Sequence, residues 1–483
     1  MGKSRAWGAV FVLVSFMLAA AMVPGAASAV GSVTILPAPN VASPQSAAPD
    51  GYIGLTASGY VEEEFFLAGT AAKYSRVGTW TSDGLWTATA AAQEPYLTRV
   101  LVRRPTSAQK FNGTVLVEWV NVTRGFDADS TFGQQYPMLL REGYAWVGVS
   151  AQKVGIEALK TINPTRYAAI TSPSGDGFSY DIFSQAGNAV RTQAHILLGG
   201  LSPERVLAQG ASQSAGRLVT YINAVHPLAM VFDGFLVQLR SAAGAALDIG
   251  VSVPSPSLIR SDLDVPVFTI NSETDANGYF PARQPDSERF RYWEIAGSAH
   301  APWFRTQYGN AQAGLPLDNN NCTTVQNDMP FHRVLQAATR HLNAWVQAGT
   351  LPPSLPKIDI QGSPRAIQRD AYGNALGGIR LPEMNVPIAR YAPNGMSNLT
   401  GIGALLCSLA GALYTWSNSE ELPAPPPGNG LPQPSLRSLY RNHGAYVSDF
   451  AKAVRDAVEA GYLLTPDAAA SIDRAAQSAV GKD

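Results

Sequence analysis

Cysteine is scarce: the 483-residue chain has only two, Cys322 and Cys407. Two cysteines so placed cannot complete a zinc site, and no His-Glu-x-x-His or Cys-x-x-Cys pattern occurs, so the common zinc motifs are excluded. Charge is sparse as well. Asp, Glu, Lys and Arg make up 15% of the residues, and the formal net charge is −1. With no basic surplus and no basic run, the chain lacks the electrostatic footprint of a nucleic-acid or anionic-membrane binder. Histidine is limited to six residues, which keeps the search for a catalytic base short. No internal repeat recurs. The glycine-rich run around Gly377 is not followed by Lys-Ser or Lys-Thr, so it reads as a tight turn rather than a phosphate loop.

What is plentiful is apolar residues, at 46%, together with 44 glycines and 34 prolines. That mixture describes a chain with a sizeable core and many structured turns. The first segment reads as a signal peptide. Lys3 and Arg5 precede an apolar stretch at 8–22, and Ala27-Ser28-Ala29 offers small residues for cleavage. A membrane anchor is the alternative, disfavoured by Pro24 and the small residues close behind the run. The mature chain is expected to start near Val30. It then carries no integral membrane segment, and 33 basic residues face 36 acidic ones, a net charge near −3. Export permits a disulfide between Cys322 and Cys407; two separate buried thiols are the equal alternative.

Residues 30–50 read as a loose leader. β-like alternation over 51–104 predicts an antiparallel opening to a sheet. Strands at 114–120, 145–150, 206–209, 231–237, 265–270 and 290–295 then alternate with helices at 133–142, 181–198 and 330–347. Continuous apolar strands separated by helices predict an α/β fold, with a mostly parallel central sheet covered by helices on both faces. The core is expected over 51–350. A loop-rich extension at 351–421 covers it, a Pro-rich linker follows at 422–434, and a helical tail runs over 435–483. Within the extension, 403–416 is apolar but too short to span a bilayer, and is expected to be buried.

Chemistry concentrates at Gly210-Ala211-Ser212-Gln213-Ser214-Ala215-Gly216. A strand running into small residues around a serine, with a helix behind, is the form of a strained turn that exposes a hydroxyl. Ser212 and Ser214 both have small residues two before and two after. Ser212 is favoured, because the strand ends just ahead of it; Ser214 is the alternative. A serine needs a base, usually a histidine held by a carboxylate. His300 lies in a small-residue loop just past the last strand. His195, His226, His332, His341 and His443 fall on or beside helices and read as structural. The acid is expected after the strand at 265–270, where Asp275 is favoured for its loop position and Glu273 is the alternative. Backbone N–H groups of Gln213 and Val122 are the expected oxyanion donors. Asp127 and Asp129, in the Val122 loop, read as solvated turn carboxylates rather than metal ligands. Residues 310–416 are expected to cover the site, and Trp303 and Phe304 to line it.

The order Ser212, Asp275, His300, each at a strand end, resembles the α/β-hydrolase superfamily. More narrowly, the chain resembles the group described as alpha/beta hydrolase domain-containing. The resemblance is carried by Val117-Glu118-Trp119-Val120-Asn121-Val122, by Gly210 to Ser214, by Ser272-Glu273-Thr274-Asp275 and by the run from Asp370 to Arg380. It implies an α/β-hydrolase fold and a secreted or envelope-bound serine hydrolase. Such an enzyme would act on a small-molecule or lipid-like ester, without cofactor or metal. The alternatives are an acyltransferase using the same residues and an inactive binding protein on the same scaffold.

Overall fold

The computed structural model describes residues 1–2, 30–41, 50–318, 321–418 and 433–482. The expected signal peptide beyond its first two residues, and the expected linker up to residue 432, lie outside them. Nine strands form one sheet: β1 (Thr34–Pro37), β2 (Tyr60–Val77), β3 (Thr87–Pro105), β4 (Thr114–Trp119), β5 (Ala145–Val149), β6 (Arg205–Ala211), β7 (Gly234–Gln238), β8 (Val267–Ser272) and β9 (Phe290–Ile295). Their order is β1-β2-β3-β5-β4-β6-β7-β8-β9. β1, β2, β3 and β5 pair antiparallel. From β5 through β4 and β6 to β9 every pairing is parallel.

The parallel strands are buried along their whole length because both faces are covered. Alternation divides their side chains between two cores. Val115, Val117 and Trp119 enter one, packed with helix Ser179–Thr192 and the helix after β6. Leu116, Leu207, Leu236 and Phe268 enter the other, packed with helices Phe132–Glu142 and Phe331–Ala348. A third cluster joins Trp416 and Val386 to Tyr446, Phe450 and Val454 of the C-terminal helices Leu436–Leu439, His443–Glu459 and Thr465–Gln477. That tail is tied to helix Phe331–Ala348 by the His341 ring, whose Nε2 bonds Gly461 O at 2.7 Å.

Several local expectations need correction. The leader at 30–50 contains β1, which pairs Thr34 to Pro37 with Ala68 to Phe65 and so closes the outer edge of the sheet. The strand expected at 231–237 begins at Gly234; Asp233 just before it donates its N–H to Val206 O at 2.9 Å and accepts the Val206 N–H on its carboxylate at 2.8 Å. The helix expected over 181–198 breaks at Gln193. The apolar run at 403–416 is not buried as a unit. It forms helix Gly401–Ala410 and strand Ala412–Thr415, and Ile402, Leu405 and Leu406 of the helix are exposed. The helix is anchored by its buried residue Cys407, which bonds Cys322 in a disulfide with Cα atoms 5.4 Å apart.

Candidate active site

β6 ends at Ala211, and the helix Gln213–Thr220 starts one residue later. Ser212 between them has φ 59° and ψ −115°. Backbone of this kind costs ~1–3 kcal/mol and persists only when its surroundings enforce it. Here the Ser212 N–H donates to Gln238 O at 2.9 Å. Asn121 Nδ2 donates to Ala211 O at 2.9 Å. Ser214 Oγ donates to the same carbonyl at 2.9 Å and accepts the Ala211 N–H at 3.1 Å. Gly210 is favoured by close approach, since a Cβ there would lie 3.1 Å from Leu218 Cδ1 and 3.2 Å from Ser214 O. Of the two candidate serines, Ser214 is thus buried with its hydroxyl engaged by the turn, while Ser212 faces a cavity.

His300 follows β9 by way of Gly297, whose φ of 73° and close approach to Met384 leave no room for a side chain. Its ring is almost wholly buried. Nε2 lies 3.0 Å from Ser212 Oγ, and Nδ1 lies 2.9 Å from Asp275 Oδ1. These partners assign the Nδ1–H tautomer, with Nε2 free to accept a proton. Asp275 Oδ2 accepts from Ser272 Oγ at 2.6 Å, which fixes the carboxylate. Asp275 stands in the helix Glu273–Tyr279 that caps β8, not in a loop. Glu273 points elsewhere. It accepts the Gly297 N–H at 2.6 Å and pairs with Arg369 at 2.8 Å, bracing the turn that leads to His300. Burial pushes its carboxyl up despite the arginine.

Gln213, the first residue of its helix, offers a backbone N–H at the positive end of the helix dipole. The Val122 N–H is directed at Gln213 Oε1, 3.4 Å away, and Gln213 Nε2 donates to Gln152 Oε1 at 2.8 Å. The two expected donors therefore meet at one glutamine. Asp127 and Asp129 are not solvated. Asp127 pairs with Arg99 at 3.1 Å, and Asp129 pairs with Arg103 at 2.7 Å and accepts from Tyr308 at 2.6 Å. Both arginines come from β3, so the carboxylates serve as anchors for the loop after β4. Among the described residues no cluster of three or more His, Cys, Asp or Glu could hold a metal ion.

The cavity over Ser212 and His300 has a volume of about 290 Å³. The loop at 121–130 and helix Trp303–Gln312 give it Thr123, Arg124, Ser130 and Arg305; helix Gly401–Ala410 and its approach give it Leu399, Leu406 and Leu409. Trp303 and Phe304 do not line it. Phe304 stacks instead on His332 with ring centres 3.8 Å apart, and burial holds that histidine well below its ordinary range. Burial likewise lowers His226, to about 4, against Phe235. Two groups near the site escaped sequence reasoning. Arg305 donates to His300 O at 3.2 Å, and its place five residues after the histidine was the available signal. Glu118, buried on β4, accepts the Thr131 and Phe132 N–H groups at 2.9 Å each, and its only signal was a charged residue inside an apolar strand.

A family profile described as an alpha/beta hydrolase domain matches residues 31–473. No curated protein matches the sequence. Solved structures are similar at low identity. An α/β serine hydrolase without lid from Xanthomonas campestris is 14% identical, with 50% of this chain covering 93% of that one at a TM-score of 0.30. A fungal esterase from Rhizomucor miehei is 13% identical, with 53% covering 82% at 0.29. A glucuronoyl esterase from Solibacter usitatus is 11% identical, with 56% covering 81% at 0.28.

Proposed function

The chain belongs to the alpha/beta hydrolase domain family, matched over residues 31–473, and from that premise we propose that it is a secreted or envelope-bound serine hydrolase of carboxylic esters. One observation carries the reading: a serine on strained backbone, with Oγ 3.0 Å from a histidine Nε2 whose Nδ1 lies 2.9 Å from a carboxylate. Ser212 Oγ attacks the acyl carbon while His300 Nε2 takes its proton. Asp275 holds the ring and stabilises its cation. The oxyanion is met by the Gln213 N–H, and by the Val122 N–H once it turns from the glutamine side chain. Collapse expels the alcohol, which takes its proton from His300. Water, deprotonated by the same nitrogen, then releases the acid and restores the serine.

A fluorophosphonate probe tests the mechanism. The expected result is stoichiometric labelling of the wild type, mapped to Ser212 by peptide mass spectrometry, with none in Ser212→Ala. No labelling of folded wild type sinks the proposal. Hydrolysis of simple esters should accompany labelling. Preferential transfer of the acyl group to added alcohols would make the protein an acyltransferase instead.

A further inference from the structure

The cavity above Ser212 is lined by two guanidinium groups, Arg124 and Arg305. Among the described residues neither lies in a salt bridge, although the buried Arg99 and Arg103 do. The carboxylates within reach are engaged. Asp275 is held by His300 and Ser272. Asp129 is held by Arg103, Tyr308 and Gln312. Glu118 is held by Thr131, Phe132 and Trp146.

Arg305 is the deeper of the two. Of the five N–H groups of a guanidinium, it uses one on His300 O at 3.2 Å and one on Ser130 Oγ at 3.1 Å, both neutral acceptors. Arg124 is exposed and stands over the Phe126 ring, 5.1 Å from its centre, so the burial argument falls on Arg305. A half-buried cation without an anion is expensive, so it is kept where something else supplies the charge. The supplier here is a ligand, since both arginines line the same cavity as Ser212 and His300.

We propose that the ester this site takes carries a carboxylate, bound by Arg305 and Arg124, with its uncharged portion against Leu399, Leu406 and Leu409. The planar guanidinium matches a carboxylate with two parallel hydrogen bonds. A cavity of about 290 Å³ suits a small organic acid ester, at the low end of ligand-site volumes. The inference rests on the hydrolase reading and narrows its substrate class.

Matched pairs differing in one charge test it. On the acyl side, monomethyl glutarate is compared with methyl valerate; on the alcohol side, 4-acetoxybenzoate with 4-acetoxybenzamide. We expect kcat/KM to favour the acid of at least one pair by about tenfold or more, and that preference to shrink as salt rises from low ionic strength. Arg305→Gln and Arg124→Gln should each reduce the acid-to-neutral ratio, mostly through KM. Because Arg305→Gln could loosen the His300 loop, wild-type inhibition gives a second reading: glutarate should inhibit competitively where valeramide does not. Turnover without preference for the acid in either pair overturns the inference and leaves the hydrolase reading intact. Stronger inhibition by inorganic phosphate than by glutarate overturns the carboxylate assignment. If no ester is turned over and no fluorophosphonate is bound, the hydrolase reading fails. Calorimetric titration of glutarate against valeramide still decides the anion site, and equal weak binding of both rejects it.

Discussion

Single residues divide the site into groups that react and groups that hold. Ser212→Ala should lower turnover at least ~10³-fold, as expected for loss of a nucleophile acting with a base. Ser214→Ala should do the opposite. It leaves the buried Ala211 N–H without its acceptor, which costs ~1–3 kcal/mol of stability, while turnover stays within about tenfold. Urea denaturation beside steady-state rates separates the two, and the reverse ranking would reassign the nucleophile. Sequence alone favoured Ser212 because the apolar strand stops just ahead of it, and it put the acid at Asp275. It could not see that Ser214 and Glu273 each have a structural task, since their partners at Ala211, Gly297 and Arg369 declare themselves only on folding. Glu118 is a harsher case, legible only as a polar residue in an apolar strand. Burial pushes its carboxyl from the usual 4.5 to about 7. The folded chain then keeps a proton that the unfolded chain has released, so stability falls as pH rises from about 4.5 to about 7 and levels off above. Glu118→Gln cannot ionise and should flatten that slope in denaturation curves across the window; an unchanged slope would place its origin elsewhere.

Elements were legible where the pattern was long and uniform. β4, β6 and β8 announce themselves as mainly apolar runs, and β9 as an aromatic-rich one, because helices cover both faces. β1 was hidden, since four residues of a Pro-rich stretch form an edge strand with only Ile35 buried. Helix Gly401–Ala410 was misjudged for the converse reason. Apolar composition says nothing about which face meets the core, and here Leu405 meets water. This helix is held by the Cys322–Cys407 bond across 85 residues of sequence, and by the Ala301 N–H, which donates to Leu409 O at 2.8 Å. Cross-links over loops of that size stabilise by ~2–5 kcal/mol. Cys322→Ser with Cys407→Ser should therefore lower stability by that order, and should release the helix before the sheet. Hydrogen exchange gives the check: faster exchange is expected over 399–411, with β6 to β8 unchanged. Uniform loosening of the whole chain would refute such a local role.

At the scale of the whole molecule, the parallel half of the sheet presents its strand ends to the site. β6 supplies Ser212, β8 leads into Asp275, β9 leads into His300 and β4 leads into Val122. The antiparallel half and the C-terminal helices build the frame around them. Val30 and Val33 already belong to the core, and β1 begins at Thr34. Cleavage after Ala29 would leave both valines and β1 in the mature chain. Mass spectrometry of exported protein should find a mature N-terminus near Val30; a start beyond Val33, or retention of residues 1–29, would overturn the export proposal. The disulfide also has a meaning for descent and redesign. The cavity wall at Cys322 and the wall at Leu406 and Cys407 belong to a single covalent ring. Arg124 and Arg305 lie outside that ring, so the charged side of the cavity can change by single substitutions. The walls at Cys322 and at Cys407 are instead coupled, and a redesign of one must keep its bond to the other.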